Sequence, residues 1–197
     1  MTSIVDLPYF GKAHSKKHTY KECPPEVVQK YRGRLPDILI ETWTAFGFQE
    51  FSNGFLWSVN PDEFRDVIAD FLYSDQIDLA NVVFRSGLGD MIVSYEGSLV
   101  HFSAVTMRHA KMAGTLESIL EMDLSHPQSL SSIFFYNMYK SALKKLGKPS
   151  EDEMFGLVPA PAIGGEIRAD NLQKVNLRIY MNYLAQLQPR PEAPASA

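Results

Sequence analysis

The stretch of residues 35–64, LPDILIETWTAFGFQEFSNGFLWSVNPDEF, constrains this chain more than any other. It holds both tryptophans and five of the phenylalanines, and aromatic side chains dominate the energetics of a core. Leu35, Leu39, Trp43 and Phe46 recur at helical spacing with Ile40 beside them, so its first part reads as a short helix with one apolar face. Pro36 suits a first helical turn, and Gly47 suits a helix stop. Residues 48–51 and 55–59 read as strands around Ser52-Asn53-Gly54, whose Asn-Gly pair favours a tight turn. Asn60-Pro61-Asp62-Glu63 then opens a second helix. Asn60 can accept from free backbone N–H groups, Pro61 presets φ, and Glu63 lies at capping-box spacing.

Around this nucleus the chain alternates between strand and helix patterns. Residues 25–31 read as a helix with Val27, Val28 and Tyr31 inward, and residues 61–73 as a helix with Phe64, Val67, Ile68, Phe71 and Leu72 inward. Strands are expected at 82–85, 91–95, 99–103 and 105–109, with Gly87-Leu88-Gly89-Asp90 and Glu96-Gly97 as turns. A short helix at 115–123 places Leu116, Ile119, Leu120 and Met122 inward. One longer helix follows Pro127 and carries Phe134 to Leu143. An extended apolar piece at 154–163, a strand at 172–175 and a helix at 177–187 with Ile179, Tyr180, Tyr183, Leu184 and Leu187 inward complete the pattern. The expected class is α+β, a mostly antiparallel sheet packed with helices, in two halves that share or abut one core. The expected divisions are an irregular basic leader at 1–23, a first domain at 24–114, a mostly helical second domain at 115–187 and a disordered Pro- and Ala-rich tail at 188–197.

Composition excludes several classes. Cys23 is the only cysteine, so an intramolecular disulfide is impossible and a reducing compartment fits. No apolar run approaches the ~20 residues of a membrane-spanning helix, and the first residues lack an apolar signal core, so a cytoplasmic location is expected. The net charge of −4 argues against binding nucleic acid by neutralising phosphates. The charge is uneven. Lys12, Lys16, Lys17, Lys21, Lys30, Arg32 and Arg34 crowd the first part, whereas Asp62, Glu63, Asp66 and Asp70 follow, and Glu151, Asp152 and Glu153 come later. The plain reading of the acidic runs is solvated helix faces. The sharper reading is a surface complementary to a basic partner.

No catalytic constellation emerges. A Gly-x-Ser-x-Gly elbow is lacking, and Cys23 before two prolines sits in no nucleophile motif. His14 and His18 have i,i+4 spacing, but lie among cations that disfavour a metal. Gly87-x-Gly89 lacks the third glycine and following helix of a phosphate loop, so turn chemistry explains it. The chain is therefore expected to be no enzyme and to hold no cofactor or metal.

The order Leu-Pro, Trp43, Phe46-Gly47-Phe48, the turn, then Phe55-Leu56-Trp57-Ser58-Val59-Asn60-Pro61-Asp62-Glu63-Phe64 resembles the GAD-like domain of bacterial immunity proteins. Asp152-Glu153-Met154-Phe155-Gly156-Leu157-Val158-Pro159-Ala160, Gly164-Gly165-Glu166, Asn171 to Val175 and Tyr183 to Leu187 resemble the C-terminal domain of type VI secretion immunity proteins. The resemblance implies an antidote that binds a cognate DNase effector of the Ntox15 class in the cytoplasm and prevents self-intoxication. On that reading the partner-binding residues are Asp62, Glu63, Asp66, Asp70, Glu151, Asp152 and Glu153. Arg85 and Asp90, in the Arg-x-x-x-Gly-Asp pattern of the family, are either a salt bridge and turn cap or contacts to a ligand or partner. The alternative is a small-ligand-binding or housekeeping module with a pocket lined by Trp43, Trp57, Arg85 and Asp90.

Overall fold

Ser52, Asn53 and Gly54 all adopt positive φ, which reverses the chain between the two strands of the aromatic window. That hairpin is the centre of the computed structural model, which describes residues 3–72 and 76–188. Before it come a 3-10 turn at Ile4–Asp6, α1 (Pro8–Ala13), β1 (Lys17–Lys21), α2 (Pro25–Tyr31) and α3 (Asp37–Phe46). The hairpin is β2 (Phe48–Phe51) and β3 (Leu56–Ser58). A 3-10 turn at Pro61–Phe64 leads into α4 (Arg65–Ala69), then β4 (Ala80–Ser86), β5 (Met91–Tyr95), β6 (Ser98–Ser103) and β7 (Arg108–Met112). α5 (Leu116–Met122), α6 (Pro127–Ser132), α7 (Tyr136–Leu146), β8 (Glu153–Leu157), β9 (Leu172–Asn176) and α8 (Leu177–Gln186) close the described chain.

Strands β1 to β7 pair in sequence order as one antiparallel meander, and β8 pairs with β9 in a separate ribbon. The fold is α+β, as the patterns require. Both faces of the large sheet are covered. On one face α1 to α3 and α5 to α7 pack on Phe51, Phe55, Leu56 and Ile92. On the other, α4 and α8 pack on Trp57, Val82, Met91 and Val93. A two-sided burial leaves β4 buried along its whole length, with Val82, Val83 and Phe84 as a continuous apolar run rather than an alternation. The C-terminal part feeds both layers, with Tyr139, Phe155 and Leu157 on the first and Met154, Tyr180 and Leu184 on the second.

The structure departs from the sequence reading at specific places. The leader expected to be irregular carries α1 and β1, because Ile4, Phe10 and His14 are buried in the first layer. β1 is an edge strand exposed along nearly all its length, so it shows no apolar alternation. The helix expected at 61–73 is a 3-10 turn plus α4, which stops at Ala69, and Tyr73 lies outside the described residues. The strand expected at 105–109 is displaced to Arg108–Met112, because residues 104–107 form the turn, with Met107 at φ 55°. The long helix after Pro127 breaks into α6 and α7 at Phe135, which is left-handed at φ 52°. Phe46, Met122, Ile179 and Tyr183, expected inside, are exposed, and Leu177 and Met181 are buried on α8 instead. The tail from residue 189 lies outside the described residues.

Candidate partner-binding site

Sheet register sets the first part of the site. Trp57 on β3 pairs across from Arg85 on β4, and the Arg85 guanidinium lies 4.4 Å from the Trp57 ring centroid. Tyr20 meets the same indole edge-on and donates its hydroxyl to the Ser58 carbonyl. Arg85 is buried and pairs with no carboxylate among the described residues. It donates instead to the backbone carbonyls of Glu151 at 2.7 Å, Glu153 at 3.3 Å and Ser150 at 3.4 Å. Burial pulls its pKa down to about 10, so the guanidinium keeps its charge at neutral pH. A buried cation thus holds the 150–153 loop from behind.

The glycine-rich turn beside it is a packing wedge. A Cβ on Gly87 would stand 2.4 Å from the Tyr139 ring, and Gly87 bridges Phe55 and Phe155 through backbone hydrogen bonds of 2.7 and 2.8 Å. Ser86 Oγ accepts from the Leu88 and Asp90 N–H groups, each at 3.1 Å. Asp90 accepts from Ala104 N at 2.9 Å, and its second oxygen faces His101 Nε2 at 3.7 Å. Arg85 and Asp90 therefore do not form the salt bridge weighed from the sequence. Both side chains are buried, and Asp90 Oδ2 and the facing His101 Nε2 have no hydrogen-bond partner among the described residues. Trp43 and Trp57 sit in opposite layers, so they do not share the pocket that the ligand-binding alternative needs.

Outside this scaffold the 150–153 loop turns its carboxylates to solvent. Glu151 and Asp152 are exposed, and Glu153 is half-buried. Ser150 organises two of them. Its hydroxyl meets Asp152 Oδ1 at 2.6 Å and Glu153 Oε2 at 3.0 Å, and its amide donates to Glu153 Oε2 at 2.9 Å. The Ser150 hydrogen bond holds the Asp152 carboxyl below the usual carboxylate range. Glu151 makes no ion pair among the described residues.

The other predicted acidic residues are already engaged. Asp62 meets Lys30 at 2.5 Å and the Tyr31 hydroxyl at 2.8 Å, and Glu63 meets Lys21 at 2.7 Å. Asp66 takes both oxygens to Arg178 at 2.7 Å, and Asp70 accepts from Asn182 at 3.2 Å. Arg178 also donates to the Glu63 carbonyl. Its neighbour Leu177 donates its amide to the Asp152 carbonyl at 2.8 Å, so the start of α8 touches both acidic regions.

Sequence reasoning missed Glu50. It is a buried carboxylate on β2, held by Lys148 at 2.8 and 2.9 Å and faced by His18 at 3.3 Å. The available signal was a glutamate among apolar letters in a strand that is buried throughout. His14 and His18 part company. His14 is buried between Ser52 Oγ at 2.8 Å and the Leu124 carbonyl at 2.6 Å, and burial lowers its pKa to about 4. Burial pushes the Cys23 thiol up to about 11, which keeps it protonated and unreactive. Among the described residues no group of three or more His, Cys, Asp or Glu side chains is arranged to hold a metal ion. Likewise, no helix among them is long and apolar enough to cross a membrane.

Residues 7–106 match the family model of the GAD-like domain. The chain belongs to the GAD-like domain family. In this GAD-like protein residues 118–188 further match the model described as T6SS immunity protein Tdi1, C-terminal, which supports an immunity role. The crystal structure of Atu4351 from Agrobacterium tumefaciens shares the fold of this GAD-like chain. The TM-score is 0.73 at 16% identity, over 93% of this chain and 90% of that one. No curated protein matches the sequence.

Proposed function

We propose that this chain is a cytoplasmic immunity protein that binds a cognate type VI DNase effector and neutralises it by occupancy, without turnover. The observation that carries the reading is the pairing of a GAD-like match at 7–106 with an immunity-protein match at 118–188 in one continuous fold. The physical logic is complementarity. A DNase must grip an anionic backbone, so its working surface is basic. An antidote that covers that surface gains association rate from acidic groups of its own. Glu151 and Asp152 suit this role best, because they are exposed and unneutralised on a loop fixed from behind by Arg85. Glu153 supports them through Ser150. Asp62, Glu63, Asp66 and Asp70 belong to the same proposed surface with a smaller share, since internal cations and Asn182 already hold them.

The test is co-purification of this chain with the effector encoded beside its gene, inactivated at its catalytic centre. A complex that survives gel filtration supports the proposal, with association that slows as salt rises. Absence of any complex with that effector refutes it.

A further inference from the structure

A second surface lies away from the acidic loop, at the opposite end of α7. Between α1 and the α5–α7 segment runs an open groove of about 810 Å³. Its walls carry two of the most exposed large apolar side chains of the molecule, Tyr9 at 66% and Met122 at 63%. Leu130, which is buried, and Tyr136 form its floor. A methionine and tyrosines of this kind left in water around a concave surface mark a docking site more often than scattered exposure does.

The charge of the groove selects the occupant. Lys12 and Lys140 line it, and neither makes an ion pair among the described residues. The Lys140 ammonium lies 5.0 Å from the Tyr136 ring centroid. α7 is 11 residues long and begins at Tyr136 with no side chain capping its first turn, so its positive pole opens at the groove. The one carboxylate in the lining, Glu121, accepts from Tyr9 N at 2.9 Å through one oxygen, and its other oxygen is buried with no hydrogen-bond partner among the described residues. With two lysines against one carboxylate, the groove is apolar with a cationic excess, opposite in sign to the Glu151-Asp152 loop.

We infer that this groove docks an amphipathic segment of the partner effector, with a large apolar side chain between Tyr9, Met122 and Tyr136 and a carboxylate at Lys12 and Lys140. The inference rests on the immunity reading and adds a second contact to it. It spans both family-matched parts, since Tyr9 and Lys12 lie in the first and Met122 to Lys140 in the second. Occupancy would tie the effector across their junction.

The test uses full-length chain and the catalytically inactivated effector encoded beside the gene. Met122→Ser and the pair Lys12→Glu/Lys140→Glu alter only exposed positions, and Lys16→Glu serves as an exposed control. Each groove variant is expected to weaken effector binding by about tenfold with thermal unfolding unchanged, while the control binds as wild type. Effector binding is also expected to slow amide exchange over residues 121–140. Groove variants that bind like the wild type, with no protection there, overturn the groove assignment and leave the immunity reading standing. A dimer of the free chain that Met122→Ser dissociates assigns the groove to a second copy and overturns the effector as occupant. A wild-type chain that fails to bind the effector removes the immunity reading, and this occupant with it.

Discussion

Asp62, Glu63 and Asp66 lead into and begin α4 with Lys30, Lys21 and Arg178 set against them, whereas Glu151 and Asp152 ride a loop that Arg85 holds by its backbone carbonyls rather than by its carboxylates. As letters the two regions are alike. As fields they differ, because the first is an ion-pair lattice that knits α2, α4 and α8 to the sheet edge, and the second leaves its negative charge to solvent. An acidic run attracts a partner only where the fold has not already supplied the counter-charge.

The comparison is sharpened most by removing the cation behind the loop. Arg85→Met strips three carbonyls of their donor and the Trp57 ring of its partner, and is expected to cost about 3–5 kcal/mol in denaturant unfolding. The cost falls on the 150–153 loop first, seen as faster amide exchange there than in β5. A loss under about 1 kcal/mol would mean that the loop stands without Arg85.

Acid gives the next largest effect, through neither patch. His14 has a folded pKa of about 4, below the ordinary 6.5 of an unfolded imidazole, because burial disfavours its charged form. The unfolded chain therefore takes the proton first. The His14 contribution is full above pH 6.5, falls between 6.5 and 4, and is absent below about 4, a change on the order of 3 kcal/mol. His14→Gln is expected to flatten that part of the stability curve. The Asp152 carboxyl is held below the usual carboxylate range by Ser150. Burial pushes the Asp62 carboxyl up, but Lys30 and Tyr31 together outweigh it and hold that carboxyl low as well.

Binding to the effector separates the two regions directly. Reversing the loop with Glu151→Lys/Asp152→Lys is expected to slow association by about tenfold at low salt, with the effect shrinking as salt rises. Asp66→Asn and Glu63→Gln form the smallest case. They are expected to change association by less than about twofold and stability by at most about 1 kcal/mol. Equal effects from the two sets would break the comparison.

Much of this organisation was legible in the sequence, for physical reasons that apply locally. The aromatic window declared itself through helical spacing, Gly47, the Asn-Gly turn and the Asn60-Pro61 start, all decided by nearby residues. β5 and β6 followed from short apolar runs between glycine turns. The edge strand β1 was not legible, since Lys17, His18, Thr19 and Lys21 face water and only pairing with β2 makes them a strand. The break at Phe135 was hidden for a similar reason, because tertiary packing holds a bulky residue in a left-handed conformation. At the site, the hydrogen-bond partners of Arg85 and Asp90 lie on segments more than sixty and about fourteen residues away respectively, beyond the reach of local patterns. Counter-charges such as Arg178 for Asp66, 112 positions apart, are likewise invisible to any reading of neighbours.

The most direct measurement titrates the DNA cleavage of the active effector with this chain. Cleavage is expected to disappear as the chain reaches molar equivalence, the Glu151→Lys/Asp152→Lys variant to need an excess, and Asp66→Asn to behave as wild type. Full cleavage in the presence of excess wild-type chain would contradict the immunity reading.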